Sequence, residues 1–73
     1  MNKNTIYKKL GKNIKTKRIE CGFTQQELAD KIGKGLNFVG KIEVAFSKPS
    51  LDTVIDIANV LNVDIKDLFT FDK

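Results

Sequence analysis

The sequence predicts a small all-α domain of five helices. Apolar residues recur at helical spacings of three and four, and no segment alternates apolar and polar residues as a half-buried strand does. Capping residues, glycines and one Pro-Ser pair divide the chain into five segments. A chain of 73 residues forms one domain with a modest core, which we expect to cover residues 6–69 and to leave a short tail at 70–73.

The first predicted helix covers residues 5–20. Ile6, Leu10 and Ile14 recur along one face at i, i+4 and i+8. Gly22 follows this segment and is expected to end it in the left-handed conformation.

The second predicted helix covers residues 25–31 and begins at a capping box. Thr24 stands three residues before Glu27, so each side chain can pair with the backbone N–H of the other. Phe23 and Leu28 flank the cap and complete a hydrophobic staple.

The last three predicted helices cover residues 35–43, 51–61 and 65–69. Ser50 and Asp64 are the expected N-caps of the last two. The fourth helix has a wide apolar stripe, which is typical of the most buried helix. The residues predicted to form this stripe are Leu51, Val54, Ile55, Ala58 and Leu61, widened by Ile57 and Val60.

Charge is distributed unevenly along the chain, whose net charge is +4. Residues 1–18 hold six lysines and one arginine without an acid, whereas residues 49–73 hold five aspartates against two lysines. A basic end suits a polyanionic partner. The alternative is an ordinary solvated, lysine-rich helix face.

Composition argues against several other classes of protein. One cysteine and no histidine exclude an internal disulfide and leave too few ligands for a Cys/His zinc site. No segment approaches the roughly 20 apolar residues of a membrane span, and the start lacks the apolar part of a signal peptide, so we expect a cytoplasmic protein. No nucleophile–base pair or phosphate-binding glycine loop is evident. We therefore expect no enzyme, cofactor, metal or small-molecule effector domain.

Residues 24–43 form two short predicted helices around a tight turn. Two helices that cross steeply need a small side chain where their backbones approach, and Ala29 supplies one. The turn needs a residue that tolerates positive φ, such as Gly33. The outer face of the third helix is then free, and such a helix fits the DNA major groove. The residues expected on the inner sides are Leu28, Ile32, Val39 and Ile42.

Several short motifs resemble the phage-repressor and Cro-type (XRE-like) helix-turn-helix family, over about residues 6–69. The resemblance implies a five-helix, lambda-repressor-like domain with a helix-turn-helix at helices 2 and 3. It also implies double-stranded DNA as the partner, with helix 2 across the DNA backbone and helix 3 in the major groove. The motifs, in the family's order, are Phe23-Thr-Gln-Gln-Glu-Leu-Ala29, Ile32-Gly33, Lys41-Ile-Glu43, Pro49-Ser50 and Leu68-Phe69.

Four residues are expected to contact DNA phosphates. Thr24 and Gln25 match the family's phosphate-contacting positions, at a helix N-terminus whose dipole and N–H groups favour an anion. Lys34 and Lys48 supply positive charge nearby in the sequence. The alternatives are that Thr24 only caps its helix and that the others are ordinary surface residues.

The family's base-reading positions correspond to Gly35, Leu36, Asn37 and Lys41. Asn37 can form two hydrogen bonds with adenine, Lys41 can donate to guanine or a phosphate, and Leu36 can touch a thymine methyl group. Gly35 allows close approach of the backbone. Each of these positions has an alternative as an ordinary surface residue, because most protein–DNA hydrogen bonds go to the backbone.

Arg18 and Glu43 match an internal ion pair of the family, between helix 1 and the end of helix 3. An arginine suits this role because its planar fork grips a carboxylate through two bonds. Arg18 is then structural and is not a DNA contact; the alternative is two independent surface charges.

The sequence departs from the family pattern around the third helix. Gly35 replaces the usual serine or threonine and Gly40 lies inside the helix, where a glycine costs about 0.5–1 kcal/mol relative to alanine. Val44 and Ala45 replace a polar residue and a glycine, and Ala45 disfavours positive φ, so we expect a different loop. Phe46 is expected either to fold onto the core or to meet a partner.

The last segment has more apolar residues than one small core can cover. We expect Ile65, Leu68, Phe69 and Phe71 to form a two-fold dimer interface that places two recognition helices about 34–36 Å apart. The alternative is that Ile65 and Leu68 belong to the core.

The predicted function is sequence-specific DNA binding by a homodimeric transcriptional regulator, a repressor of an inverted-repeat operator. The alternative is a protein-binding module of the same fold, such as an antitoxin or a coactivator. Its anchors would be Phe46, Phe69 and Phe71.

Overall fold

The computed structural model describes residues 1–71, so residues 72 and 73 of the predicted tail lie outside the described residues. Helices and turns account for the regular structure of this range, without a strand, and the predicted all-α class is confirmed. Within residues 1–71 no helix combines the length and apolarity needed to cross a bilayer. The helices are α1 Lys3–Glu20, α2 Gln25–Lys31, α3 Phe38–Glu43, α4 Leu51–Leu61 and α5 Ile65–Leu68.

Side-chain caps fix the beginnings of α1 and α2. The Thr5 N–H donates to Asn2 Oδ1 at 2.9 Å, so α1 begins two residues earlier than predicted. The capping box of α2 is confirmed. The Glu27 N–H donates to Thr24 Oγ1 at 3.0 Å, and the Thr24 N–H donates to Glu27 Oε1 at 2.8 Å. These hydrogen bonds, the one from the Thr24 backbone above all, lower the pKa of Glu27.

The third helix, α3, is shorter than predicted, because it begins at Phe38 and not at Gly35. Asn37 adopts the left-handed conformation with φ of 69°, which asparagine tolerates better than most residues. The Phe38 N–H donates to the Gly35 carbonyl at 3.3 Å, which closes a turn over these residues. Gly35, Leu36 and Asn37 therefore belong to the turn before α3.

The core combines apolar side chains from all five helices, and Leu68 is among its fully buried members. Assigning Leu68 to a dimer interface was therefore wrong. Residues 68–70 lie against α1, where Asn13 Nδ2 donates to the carbonyls of Leu68 and Thr70, both at 3.0 Å. The buried apolar residues are Leu10, Ile14, Leu28, Ala29, Val39, Ile42, Val54, Ile57, Ala58, Leu61 and Leu68.

The α4 helix buries four residues of the predicted stripe, Val54, Ile57, Ala58 and Leu61, but not all of it. Leu51 and Ile55 are 65% and 40% exposed, whereas Thr53 and Ile57 are buried. Apolar residues lie on too much of the α4 surface to specify a single orientation, and packing against the other helices selects one. Two apolar side chains of α4 consequently face outward.

A glycine in α1 allows α3 to approach closely. A Cβ atom at Gly11 would lie 2.5 Å from the Ile42 carbonyl oxygen and 2.7 Å from that of Glu43. The sequence around Gly11 does not predict this role. The contact fixes the end of α3 against α1 and so sets the orientation of α3.

Candidate nucleic-acid interface

The turn between α2 and α3 has the predicted left-handed glycine. Gly33 has φ of 72°, and its N–H donates to the Asp30 carbonyl at 3.1 Å. The Lys34 N–H then donates to the carbonyl of the buried Ala29 at 2.8 Å. These bonds end α2 and turn the chain toward α3.

The expected ion pair between Arg18 and Glu43 is present and buried. Arg18 Nε donates to Glu43 Oε2 at 2.7 Å, and Arg18 Nη2 donates to Oε1 at 3.2 Å. A third bond, at 2.7 Å, goes from Arg18 Nη1 to the Phe23 carbonyl. One guanidinium therefore ties α1 to the end of α3 and to the entry of α2.

Glu43 also orients a residue at the expected phosphate site. Gln25 Nε2 donates to Glu43 Oε1 at 2.9 Å, a contact that the sequence analysis did not foresee. A carboxamide nitrogen carries two hydrogens, so Gln25 retains a donor for a phosphate. The Thr24 hydroxyl accepts the cap bond and likewise keeps its own proton to donate.

The four expected base-reading residues are all exposed. Leu36 and Asn37 line a shallow concavity of about 120 Å³ together with Gln25, Gln26 and Gly40. The structure thus places two expected base-reading residues next to an expected phosphate contact. The other two, Gly35 and Lys41, do not line this concavity.

Three lysines of this region each lie over an aromatic ring. The Nζ atoms of Lys34, Lys41 and Lys48 are 5.4, 6.0 and 5.6 Å from the ring centroids of Phe38, Phe46 and Tyr7, respectively. Such contacts contribute about 0.5–1 kcal/mol at exposed sites. They restrict the ammonium groups while leaving all three lysines exposed. Lys48, which follows α3, is thereby held against α1.

The loop after α3 contradicts the expectation that Ala45 avoids positive φ and the expectation that Phe46 packs on the core, while the alternative that Phe46 meets a partner stays a prediction. Ala45 adopts φ of 61°, so the loop keeps the left-handed residue despite the alanine. Phe46 is 78% exposed and Val44 is 74% exposed, so neither folds onto the core. In the sequence, the sign of these two exposed apolar side chains is that apolar residues occupy the loop after the third helix.

A sequence model of the helix-turn-helix family matches residues 14–68. The chain belongs to the helix-turn-helix family of DNA-binding transcriptional regulators. The resemblance to phage-repressor and Cro-type proteins is confirmed, and the family consists of regulators rather than enzymes.

Two relatives show how much of the chain is shared. An uncharacterized HTH-type transcriptional regulator of Archaeoglobus fulgidus is 41% identical over 59 residues, which cover 81% of this chain and 84% of that protein. The HTH-type transcriptional regulator ImmR of Bacillus subtilis is 37% identical over 54 residues, which cover 74% of this chain. The match spans only 42% of ImmR.

The fold also matches a crystal structure, that of the restriction-modification controller protein C.AhdI from Aeromonas hydrophila. The TM-score is 0.82 at 27% sequence identity, over 86% of this chain and 96% of C.AhdI. The match therefore extends over nearly the whole of C.AhdI.

Proposed function

We propose that this chain is a cytoplasmic transcriptional repressor that binds an inverted-repeat operator as a homodimer. The observation that carries the proposal is the exposed surface formed by α3 and the preceding turn. The inner side of α3 is buried through Val39 and Ile42, while Leu36, Asn37 and Lys41 project from the other side as exposed residues. A regulator bound to an operator that overlaps a promoter would exclude other proteins from that promoter. Repression would then require only the DNA-binding surface.

Base recognition in this proposal depends on side chains of different chemistry at adjacent positions. Asn37 pairs with adenine N6 and N7, Lys41 donates to guanine O6 and N7, and Leu36 contacts a thymine methyl group. Gly35 allows the turn to approach the bases. Asn37 and Leu36 precede the helix, so this turn enters the groove together with α3.

Phosphate binding would fix the register of α3 in the groove. Thr24 and Gln25 lie at the start of α2, where the first N–H groups lack partners within the helix and favour an anion. Gln25 is already oriented by Glu43. Lys34 and Lys48 are both exposed and supply positive charge for the phosphates.

A second copy of the chain would cover an apolar surface on α4 and α5. Leu51, Ile55, Ile65 and Phe69 are exposed, and Leu51 and Phe69 line one groove of about 300 Å³. The Phe69 ring also contacts that of Phe71 at 6.4 Å between centroids. This proposed interface keeps Ile65, Phe69 and Phe71 of the predicted one. It omits the buried Leu68 and adds Leu51 and Ile55 from α4.

Selection of bound sequences from a random DNA pool tests the function. The proposal predicts enrichment of an inverted repeat whose half-sites are one helical turn apart. Asn37→Ala is expected to relax the base preference at one position of each half-site, whereas Lys34→Ala is expected to weaken binding to all sequences alike. Absence of enrichment, with no salt-dependent binding to any duplex, would contradict the proposal and favour the protein-binding module.

Sedimentation velocity tests the dimer separately. Ile55→Glu is expected to shift the chain toward monomer, because it places a charge in the apolar interface. Ile19→Glu is the matched control, since Ile19 on α1 is 57% exposed and outside the proposed surface. A monomeric wild type at high protein concentration, both free and on DNA, would contradict the homodimer.

A further inference from the structure

Val44 and Phe46 extend the surface that carries the expected base-reading residues. Both lie on one open concavity of about 390 Å³, which they share with Asn37, Gly40 and Lys41. Asn37 and Gly40 also line the smaller concavity beside Leu36. The two concavities therefore adjoin, and the exposed apolar side chains continue the same face of the molecule.

Backbone hydrogen bonds hold these apolar side chains in place. The N–H groups of Phe46 and Ser47 both donate to the Lys41 carbonyl, at 2.8 and 3.1 Å. The Ala45 N–H donates to the Ile42 carbonyl at 3.0 Å. Ala45 has a positive φ of 61° in this loop. A positive φ costs roughly 1–2 kcal/mol in an alanine, so the rest of the fold imposes this loop.

The surroundings of this concavity suit DNA better than an apolar protein surface. Among the described residues 1–71, Lys41 is the one charged residue that lines it, and it is a cation; its Nζ lies 6.0 Å from the Phe46 ring centroid. Gly40 contributes no side chain to this concavity. In the major groove of unmodified DNA, the apolar group that a base pair presents is the C5-methyl group of thymine.

We propose that Val44 and Phe46 are specificity-determining residues that bind thymine methyl groups at the operator. The inference rests on the proposed function, and it adds a base preference at positions beyond those contacted by Leu36, Asn37 and Lys41. Val44 and the Phe46 ring form the apolar walls, and the thymine methyl group enters the concavity between them. The preference therefore depends on the methyl group and not on hydrogen bonds to the base.

The test is a thymine-to-uracil scan of the duplex most enriched in the random-pool selection. Each thymine is replaced singly by deoxyuridine, which removes only the methyl group, and the dissociation constant is measured by fluorescence anisotropy. Replacement of a contacted thymine is expected to weaken binding by about fourfold, the effect of exposing one buried methyl group. Thymines outside the contacted positions serve as internal controls.

The same scan on the double variant Val44→Ala/Phe46→Ala assigns the effect to this concavity. At the thymines that these residues contact, the uracil effect is expected to fall below about twofold, since the partner side chains are gone. At a thymine contacted by Leu36, the effect is expected to persist. Leu36→Ala is the matched control variant and should show the opposite pattern. Val44 and Phe46 are both exposed, so their replacement is not expected to unfold the chain, and circular dichroism melting checks that the variants fold.

The outcomes separate this inference from the proposed function. Sequence-specific binding without any uracil-sensitive thymine, or with a sensitivity that the double variant leaves unchanged, overturns the inference while the regulator stands. Failure to bind any duplex overturns both. Sensitivity that disappears only in the double variant supports the inference.

Discussion

Replacing Gly11 with alanine tests how the fold positions the recognition helix. The added Cβ would lie 2.5 Å from the carbonyl oxygen of Ile42 and 2.7 Å from that of Glu43. Carbon–oxygen contacts normally begin at about 3.3 Å, so α1 and the end of α3 must separate by about 0.8 Å. Both obstructing atoms are backbone atoms, and no rotamer change can relieve the contact.

The expected cost follows from two opposing effects. Overpacking typically costs about 1–3 kcal/mol, and the upper part of this range applies because two helix backbones must move. Alanine is about 1 kcal/mol better than glycine in a helix interior, which offsets part of the loss. We expect Gly11→Ala to lower the free energy of unfolding by about 2 kcal/mol, or the urea midpoint by about 2 M at a slope near 1 kcal/mol/M.

Urea denaturation followed by circular dichroism measures this change, and Gly40→Ala is the matched control. A Cβ atom at Gly40 would lie 3.1 Å from Gln25 Oε1, the end of a flexible side chain that can move. Gly40→Ala is therefore expected to be neutral or stabilising by up to about 1 kcal/mol. A Gly11→Ala variant as stable as the wild type would refute the reasoning.

Three further predictions concern buried charge, strain and capping. Arg18→Met is expected to cost about 3 kcal/mol in urea denaturation because it strands the buried Glu43 carboxylate; an unchanged midpoint would contradict this. Ala45→Gly is expected to raise the melting temperature by several degrees, since relief of about 1–2 kcal/mol of strain exceeds the glycine entropy cost of about 0.5–1 kcal/mol; a lower melting temperature would argue against a strained loop. The depressed pKa of Glu27, caused by its hydrogen bonds with Thr24, stabilises the fold above the ordinary value of 4.5, and this contribution is lost as the pH falls through the lower folded pKa. Glu27→Gln keeps the cap but removes the titration, so its stability should fall less steeply with pH below 4.5; parallel pH profiles would count against this assignment.

Features that depend on a few neighbouring residues could be predicted from the sequence. The capping box at Thr24 and the left-handed Gly33 each follow from local chemistry, and the structure has both. The Arg18–Glu43 pair spans 25 residues and came from the family resemblance, because spacing alone does not bring such distant residues together.

Features that depend on how whole helices pack could not be predicted in the same way. A glycine inside α1 carries no local sign that Gly11 meets two carbonyl oxygens of α3. The exposed positions of Leu51 and Ile55 follow from the rotation of α4 about its axis, which several apolar faces leave open. At the start of α3, Gly35 and Asn37 favour a turn, so the helix begins at Phe38 and is shorter than the one predicted over residues 35–43.

Contact of duplex DNA with α3 and its flanking turn and loop is the central feature of the proposed function. Amide chemical-shift mapping of the labelled chain, with the selected duplex at low ionic strength, tests this contact directly. The largest changes are expected at the start of α2 and over residues 34–48. Changes centred on residues elsewhere in the chain, with those of 34–48 unaffected, would contradict the proposed contact.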